Sequence, residues 1–478
     1  MKHWLSFPFF FLTMVLLLGC RTAENSFPLF NGRDLKGWTT GGKQSVFRVE
    51  NGILVCSPGN AALCLKKGSY RNFELTAEIM SMGGAAAELY FHTVSAGSGE
   101  QMAGYAVRLS NNREKAGSLS GIRNLYFPFV SDNDWYRMKI KVTENRVEVF
   151  MNEVRVNEYV QPENPWRGEK ATKRLLGEGT FALQAGQGNG QLLIRSMSVT
   201  RLPEGEKTGL PVEKDWDTRV TQLMGQGFPL IDYHVHLKGG LTLEQAVENS
   251  QKLGINYGIA PNCGLHFPVT NDSSLFAYMR EVKGKPIFRG MQAEGREWVT
   301  LFSPDAVSKF GYVFTDAMTF TDYRGRRNRI WMPEEVWVDD KEKFMDQMVG
   351  KIEAIFSQEP VDIYVNPTVL PASIMAEYDL LWTKERMERV VRVLAENRIA
   401  LEINARYKVP KAEMIKLAKA AGIKFSFGTN NTGSELGRLE YCLQMIGECG
   451  LTPDDIFIPK ADEEKPVNVK GLPGKITG

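Results

Sequence analysis

From residue 228 onward, seven short apolar runs alternate with helix-length windows, and no other feature of this 478-residue chain limits its fold so tightly. The runs are PLIDYHVHL (229–237), NYGIAP (256–261), PIFRGMQAE (286–294), YVFTDAMTF (312–320), VDIYVNPT (361–368), ALEINA (400–405) and KFSFGTN (424–430). Near-continuous apolar runs of this length mark strands buried on both faces. Windows between them, such as LTLEQAVENSQKLG and KERMERVVRVLAE, repeat their apolar residues at three and four, the helical period. Buried parallel strands joined by helices predict an α/β domain over 228–459, and about seven such units predict a closed TIM-like barrel.

Barrels of that kind carry their sites where the strands end. His234, His236, Asn262, Glu294, Asp316, Asn366, Asn404 and Asn430 all fall there. The first run ends in Asp232, His234 and His236, spaced two apart and therefore on one face of a strand. The chain has only five histidines, so two at one strand end point to metal ligation. The plainer reading is a strand end that exposes two imidazoles.

Residues 27–202 have a different texture. Short alternating runs, among them FRVENGILVC (47–56), NFELTAEIM (72–80), AELYFHTV (87–94), GYAVRLS (104–110) and GTFALQA (179–185), are punctuated by turn residues. Period-two alternation at this spacing predicts antiparallel strands and a β-sandwich or jelly roll. YRMKIKVTENRVEVFMN (136–152) reads as a hairpin with its tip at Glu144 and Asn145. Between the two textures, residues 203–227 are polar and contain Pro203, Gly205, Gly209 and Pro211, a linker with a short helix around 214–224.

Charge narrows the partners. With 58 basic and 56 acidic residues the formal charge is +2, which makes no electrostatic case for nucleic acid. The arginines of YRGRRNRIW (323–331) read either as an anion site or as a solvated face. Cys56, Cys64, Cys263, Cys442 and Cys449 follow no disulfide framework, and Cys56 and Cys64 read either as a pair or as small buried hydrophobes. Residues 460–478 are charged and Pro-containing, the composition of a disordered tail.

At the N-terminus, the apolar run from Phe7 to Leu18 suits a signal-peptide core, and Leu17-Leu18-Gly19-Cys20 resembles a bacterial lipobox. The resemblance implies removal of residues 1–19 and lipid attachment at Cys20, so that acyl chains hold the protein to a membrane in the cell envelope. Arg21, where inner-membrane retention uses Asp, favours the outer membrane, with the side it faces left open.

PLFNGRDLKGW (28–38), followed by FRVENGIL, NFELTAEI, GYAVRL, DWYRMKIKVTENRVEVFMNEV and IRSMSV, resembles the 3-keto-disaccharide hydrolase family. That resemblance implies a concanavalin-like jelly roll that binds or cleaves an oxidised glycoside, whose C3 carbonyl acidifies the C2 proton. A base and an enolate-stabilising group are then needed. The residues at matching strands are Glu88, His92, Tyr105, Arg108 and Gln184, with Glu88 and His92 expected on one face. The family's late-strand Leu-Gln-x-His reads Leu183-Gln184-Ala185-Gly186 here, which raises binding without turnover as an alternative.

The barrel's order resembles the PHP (polymerase and histidinol phosphatase) family, a distorted seven-stranded barrel. His234-Val235-His236, Glu294 and Glu402-Ile403-Asn404 match its pattern, whereas Asn262-Cys263, Asn366-Pro367 and Asn430-Asn431-Thr432 stand where it has further ligands. Two readings of the retained residues stay open: one divalent metal (Zn, Mn or Fe) on His234, His236 and Glu294, completed by Asp316 or His266, or a metal-free, non-catalytic barrel in which Asn262, Asn366, Asn404 and Asn430 line a hydrogen-bonding pocket for a polar ligand. Three functions stay open: a hydrolase or lyase of (3-keto-)glycosides with an accessory barrel, a glycan-binding lipoprotein with both sites degenerate, and a barrel that alone is a metal-dependent phosphoesterase.

Overall fold

The structure is a computed structural model and describes residues 26–94 and 102–459. The expected signal segment, Cys20 and the expected tail at 460–478 lie outside the described residues.

Alternation builds the N-terminal half. Along Phe73–Ser81, FELTAEIMS, every second side chain is buried, the period of a strand with one face on a core. The larger sheet runs in space Val154–Val160, Arg146–Met151, Trp135–Thr143, Phe73–Ser81, Leu192–Arg201, Ile53–Cys56 and Phe47–Glu50, with Ser26–Pro28 also paired to Leu192–Arg201. The smaller runs Trp38–Gly41, Ala61–Leu65, Thr180–Ala185, Ala87–Thr93 and Tyr105–Arg108. Neighbours are antiparallel throughout, and the inner faces enclose a core of Phe73, Leu75, Leu89, Phe91, Ile140 and Phe181. The hairpin tip falls where expected, with Thr143 paired to Arg146 and Glu144 at φ +53°. Cys56 and Cys64 are both buried and form no disulfide, nor do the other described cysteines.

The C-terminal half is the barrel that the seven runs predict. Ile231–Val235, Asn256–Ile259 with its continuation Asn262–Cys263, Phe288–Ala293, Tyr312–Thr315, Ile363–Tyr364, Ala400–Asn404 and Phe425–Gly428 pair in parallel. Ile231–Val235 also pairs with Phe425–Gly428, which closes the ring. Helices such as Leu243–Leu253, capped by Thr242 and ended by left-handed Gly254, cover the outside. Among the described residues no helix is long and apolar enough to cross a membrane.

The halves are packed together. Helix Lys214–Gly225 buries Trp216, Val220 and Met224, one stripe at helical spacing. From the sandwich, the loop 109–134 sends Arg123 to a buried ion pair with Asp217 of this helix and a 3.1 Å bond to Thr221 Oγ1. Tyr126 joins the barrel's own core, its hydroxyl donating to Phe228 O at 3.2 Å. Gln251 and Arg155 exchange bonds of 2.8 Å across the same boundary.

The arginine-rich stretch forms the hairpin Thr319–Thr321/Arg327–Arg329, and three of its four arginines are paired locally: Arg326 to Asp322 and Asp339, Arg324 to Asp339, Arg329 to Glu335. Arg327 is exposed.

One barrel carboxyl makes stability depend on pH. Burial pushes Asp362, which accepts a 2.8 Å bond from Val313 N, from an ordinary 3.8 up to about 7. A carboxyl raised in the fold favours its protonated form, so its contribution falls as pH rises from about 4 to 7 and is level above that. Asp362→Asn, which can keep the acceptor, is expected to raise the melting temperature at pH 8 and to lose that advantage by pH 4. Thermal denaturation across this range checks it; a shift independent of pH would refute it.

Candidate functional site

On the smaller sheet, register alone assembles a row. Arg108 pairs with Glu88, Glu88 with Gln184, and Gln184 with Ala62. Paired residues share a face. Leu89, Phe91, Val107 and Leu183 beside them point into the sandwich core, so Glu88, Arg108 and Gln184 lie on the outer face. Glu88 Oε1 accepts from Ser120 Oγ at 2.7 Å and lies 3.4 Å from an Arg108 guanidinium nitrogen; Oε2 accepts from Tyr90 OH at 3.2 Å. Burial and the Glu88 charge push the Tyr90 hydroxyl up to about 12, which keeps it a donor. Arg108 also reaches Glu114 at 3.5 Å, yet its buried Nε–H has no acceptor. Tyr90 was legible as a strand neighbour two residues from Glu88; Ser120 and Glu114 come from a loop and carry no local sequence signal.

His92 and Tyr105 do not join that row. His92 has φ +54°, which breaks the alternation that would have placed it beside Glu88. Its ring packs edge-on to Phe73 and Phe91, with Nε2 2.8 Å from Arg71 O and Nδ1 accepting from Gly177 N at 3.1 Å. Burial lowers its pKa to about 4, so it is a neutral, satisfied core histidine. Tyr105 is fully buried on the core side, donating to Gln161 Oε1 at 2.6 Å and contacted by Arg167. At Gly186 a Cβ would sit 3.2 Å from Ala86 Cβ and 3.3 Å from its carbonyl oxygen, so a longer side chain has little room where the family has histidine.

At the carboxyl ends of the barrel strands a second set converges. Asp232 accepts from His234 N at 3.0 Å, from Thr429 N at 3.1 Å and from Thr429 Oγ1 at 2.6 Å, bracing the first strand against the last. Burial raises its pKa to about 6. His234 Nδ1 lies 2.6 Å from Glu402 Oε1, and His236 Nδ1 lies 2.7 Å from Ala260 O. Gly428 permits the first contact, since a Cβ there would collide with the Glu402 carboxylate and His234 Cβ. Both Nε2 atoms are buried and unpaired.

The asparagines form a network. Asn404 and Asn430 donate to Asn366 Oδ1 at 3.0 and 2.8 Å, and Asn366 Nδ2 donates to Asp316 Oδ2 at 3.3 Å. Glu402 Oε2 accepts from Asn366 N and Asn404 Nδ2 at 2.7 and 2.9 Å. Asn366 and Asn430 hold φ of +48° and +46°, strain of the kind that collects at functional sites. Asn262 Nδ2 donates to Glu294 Oε1 at 2.6 Å. Burial raises both Glu294 and Asp316, and the charge of Asp316 raises Glu294 further. Lys238, which sequence reasoning passed over, is half-buried within electrostatic reach of Glu294.

These side chains do not make up the expected metal centre. Among the described residues no group of three or more His, Cys, Asp or Glu side chains is arranged to hold a metal ion. The two imidazole nitrogens are free to ligate, but Glu294 is held by Asn262 and Asp316 by Asn366, while His266 is exposed on a loop. Protein metal sites use three or four such ligands. Of the expected set, the structure brings the pair His234 and His236 and the carboxyls Glu294 and Asp316 to the strand ends, and it leaves His266 exposed on a loop.

Residues 26–200 match the model of the 3-keto-alpha-glucoside-1,2-lyase-like domain. Solved structures with a loose likeness include histidinol phosphate phosphatase from Lactococcus lactis, complexed with zinc, L-histidinol and phosphate (15% identity, 47% of this chain, 95% of that chain, TM-score 0.36). Others are a provisionally assigned glycosyl hydrolase from Parabacteroides distasonis (16%, 38%, 95%, 0.34) and the carbohydrate-binding module CBM66 from Bacillus subtilis (16%, 34%, 95%, 0.25). No curated protein matches the chain.

Proposed function

We propose that this chain acts on 3-keto-glycosides through the outer-face row of its sandwich, with Glu88 as the base. The observation that carries this is the registered row Gln184, Glu88 and Arg108, lying within the span that matches a keto-glucoside lyase-like domain. In a glycoside oxidised at C3 the carbonyl acidifies the C2 proton. Glu88 takes that proton, the C1–O bond breaks as a C1=C2 double bond forms, and the departing alkoxide picks up a proton from water. Charge gathers on the C3 oxygen meanwhile, and the unpaired Nε–H of Arg108 is a donor for it. Gln184 offers an amide to a ring hydroxyl.

Capture without turnover is the second reading, favoured by the crowding at Gly186. Incubating the full chain with a 3-keto-α-glucoside separates the two. Release of the aglycone with an unsaturated keto-sugar supports the lyase; binding by calorimetry without product supports capture; neither would overturn both. The lipobox-like Cys20 adds the proposal that this takes place at the cell envelope. Palmitate labelling in a bacterial host, lost in Cys20→Ser, is the expected result.

A further inference from the structure

We infer that Tyr90 is the proton donor of the outer-face row, and that its place beside Glu88 suits the row to 3-keto-β-glucosides. The inference rests on the lyase reading given above and adds to it a second catalytic residue and a preferred anomer.

Tyr90 and Glu88 are two residues apart on the strand Ala87–Thr93, so their side chains leave the same face of the sheet. The Tyr90 hydroxyl donates to Glu88 Oε2 at 3.2 Å, while Ser120 and Arg108 attend the other carboxylate oxygen. Across the sheet Tyr90 pairs with Ala106 and Ala182, so no polar side chain at those paired positions competes for the hydroxyl. The Glu88 side chain is 20% exposed and Tyr90 7%, which leaves the base open to a ligand with the phenol at its edge. Burial and the Glu88 charge hold the phenol up at about 12, against the opposing charges of Arg174 and Arg108. It therefore carries its proton at neutral pH, and a phenolate formed there has two guanidinium charges within electrostatic reach. A departing alkoxide is more basic than a phenolate, so the transfer runs downhill.

Sugar stereochemistry then selects the anomer. In a gluco-configured ring the C2 hydrogen and a β-oriented C1 oxygen lie on the same side, whereas an α-oriented oxygen lies on the opposite side. A base and an acid 3.2 Å apart on one sheet face serve groups that leave adjacent carbons from one side. With the β-anomer, Glu88 takes the C2 proton, the C2–H electron pair forms C1=C2, and the C1–O pair passes to oxygen. Tyr90 gives its proton to that oxygen. The phenolate recovers a proton from the Glu88 carboxyl, which returns both groups to their starting state. With the α-anomer the oxygen departs on the far side of the ring, where water protonates it.

The test is steady-state kinetics of the full chain and of Tyr90→Phe on the methyl 3-keto-glucosides of both anomers. Loss of the hydrogen bond to Glu88 acts on both anomers alike, so the ratio of kcat values, β over α, isolates proton donation. That ratio is expected to fall about 10²-fold in the variant. With p-nitrophenyl 3-keto-β-glucoside, whose leaving group needs no proton, the variant should lose far less than with the methyl β-glucoside. An unchanged ratio, or equal losses on the two β-glucosides, would reduce Tyr90 to a partner of Glu88 and overturn the inference. The wild type gives a second measurement should the variant fail to fold. Its kcat is expected to depend weakly on leaving-group basicity among β-glucosides and steeply among α-glucosides. Equal dependence, or turnover of the α-anomer alone, overturns the inference and leaves the lyase reading standing; no turnover of either anomer removes both.

Discussion

Glu88→Gln is expected to lower turnover of a 3-keto-glycoside by about 10²–10⁴-fold, the usual contribution of a positioned base. KM should change little, because the amide preserves the shape and can still accept from Ser120, whose hydroxyl lies 2.7 Å away. Steady-state kinetics on the full chain measure this, and an undiminished kcat would remove Glu88 from the role. His92→Gln makes the contrast. Its ring is neutral and satisfied by Arg71 O and Gly177 N, so the substitution is expected to cost stability and to leave the pH–rate profile in place.

The second large effect is expected at the junction of the two halves. Arg123 and Asp217 are 4% and 6% exposed, so Asp217→Asn or Arg123→Ala leaves one buried charge without its partner. Breaking such a pair typically costs about 3–5 kcal/mol, whereas replacing both members by apolar residues is often close to neutral. Urea denaturation should therefore show Arg123→Ala strongly destabilised and Arg123→Met/Asp217→Leu near the wild type. Equal loss in both would mean that packing, not charge, is what the pair contributes. Because Ser120 sits three residues from Arg123 on the same loop and donates to Glu88, the single variants should also weaken sugar binding at the sandwich. Loop, helix Lys214–Gly225 and barrel wall form one packed unit, with Asn124 Nδ2 bonded to Met224 O at 3.1 Å and Asn256 Nδ2 to Asn124 O at 3.0 Å.

Parts of this were legible without coordinates for definite reasons. Each barrel strand is buried on both faces, so it must be written as an apolar run, and all seven runs became strands. Trp38–Gly41, Ala61–Leu65 and Val154–Val160 are strands that the alternation reading passed over. Trp38–Gly41 and Val154–Val160 lie at sheet edges, where patterning is weak, and Ala61–Leu65, AALCL, does not alternate. Tyr105 was misplaced because strand parity, not residue type, decides which face a side chain takes.

By itself the sequence determined the two architectures and the place of the barrel site at the strand ends. Those follow from periodicity and from residue types at strand positions, which are local properties. Only the tertiary structure decided that His92 turns into the core, that Glu402 faces His234 Nδ1, and that Ser120 and Arg123 tie the sandwich site to the barrel. The physical reason is common to all three. Each depends on a partner far along the chain, 168 residues away for Glu402 and 94 for Asp217, and on which lone pairs those partners leave unpaired.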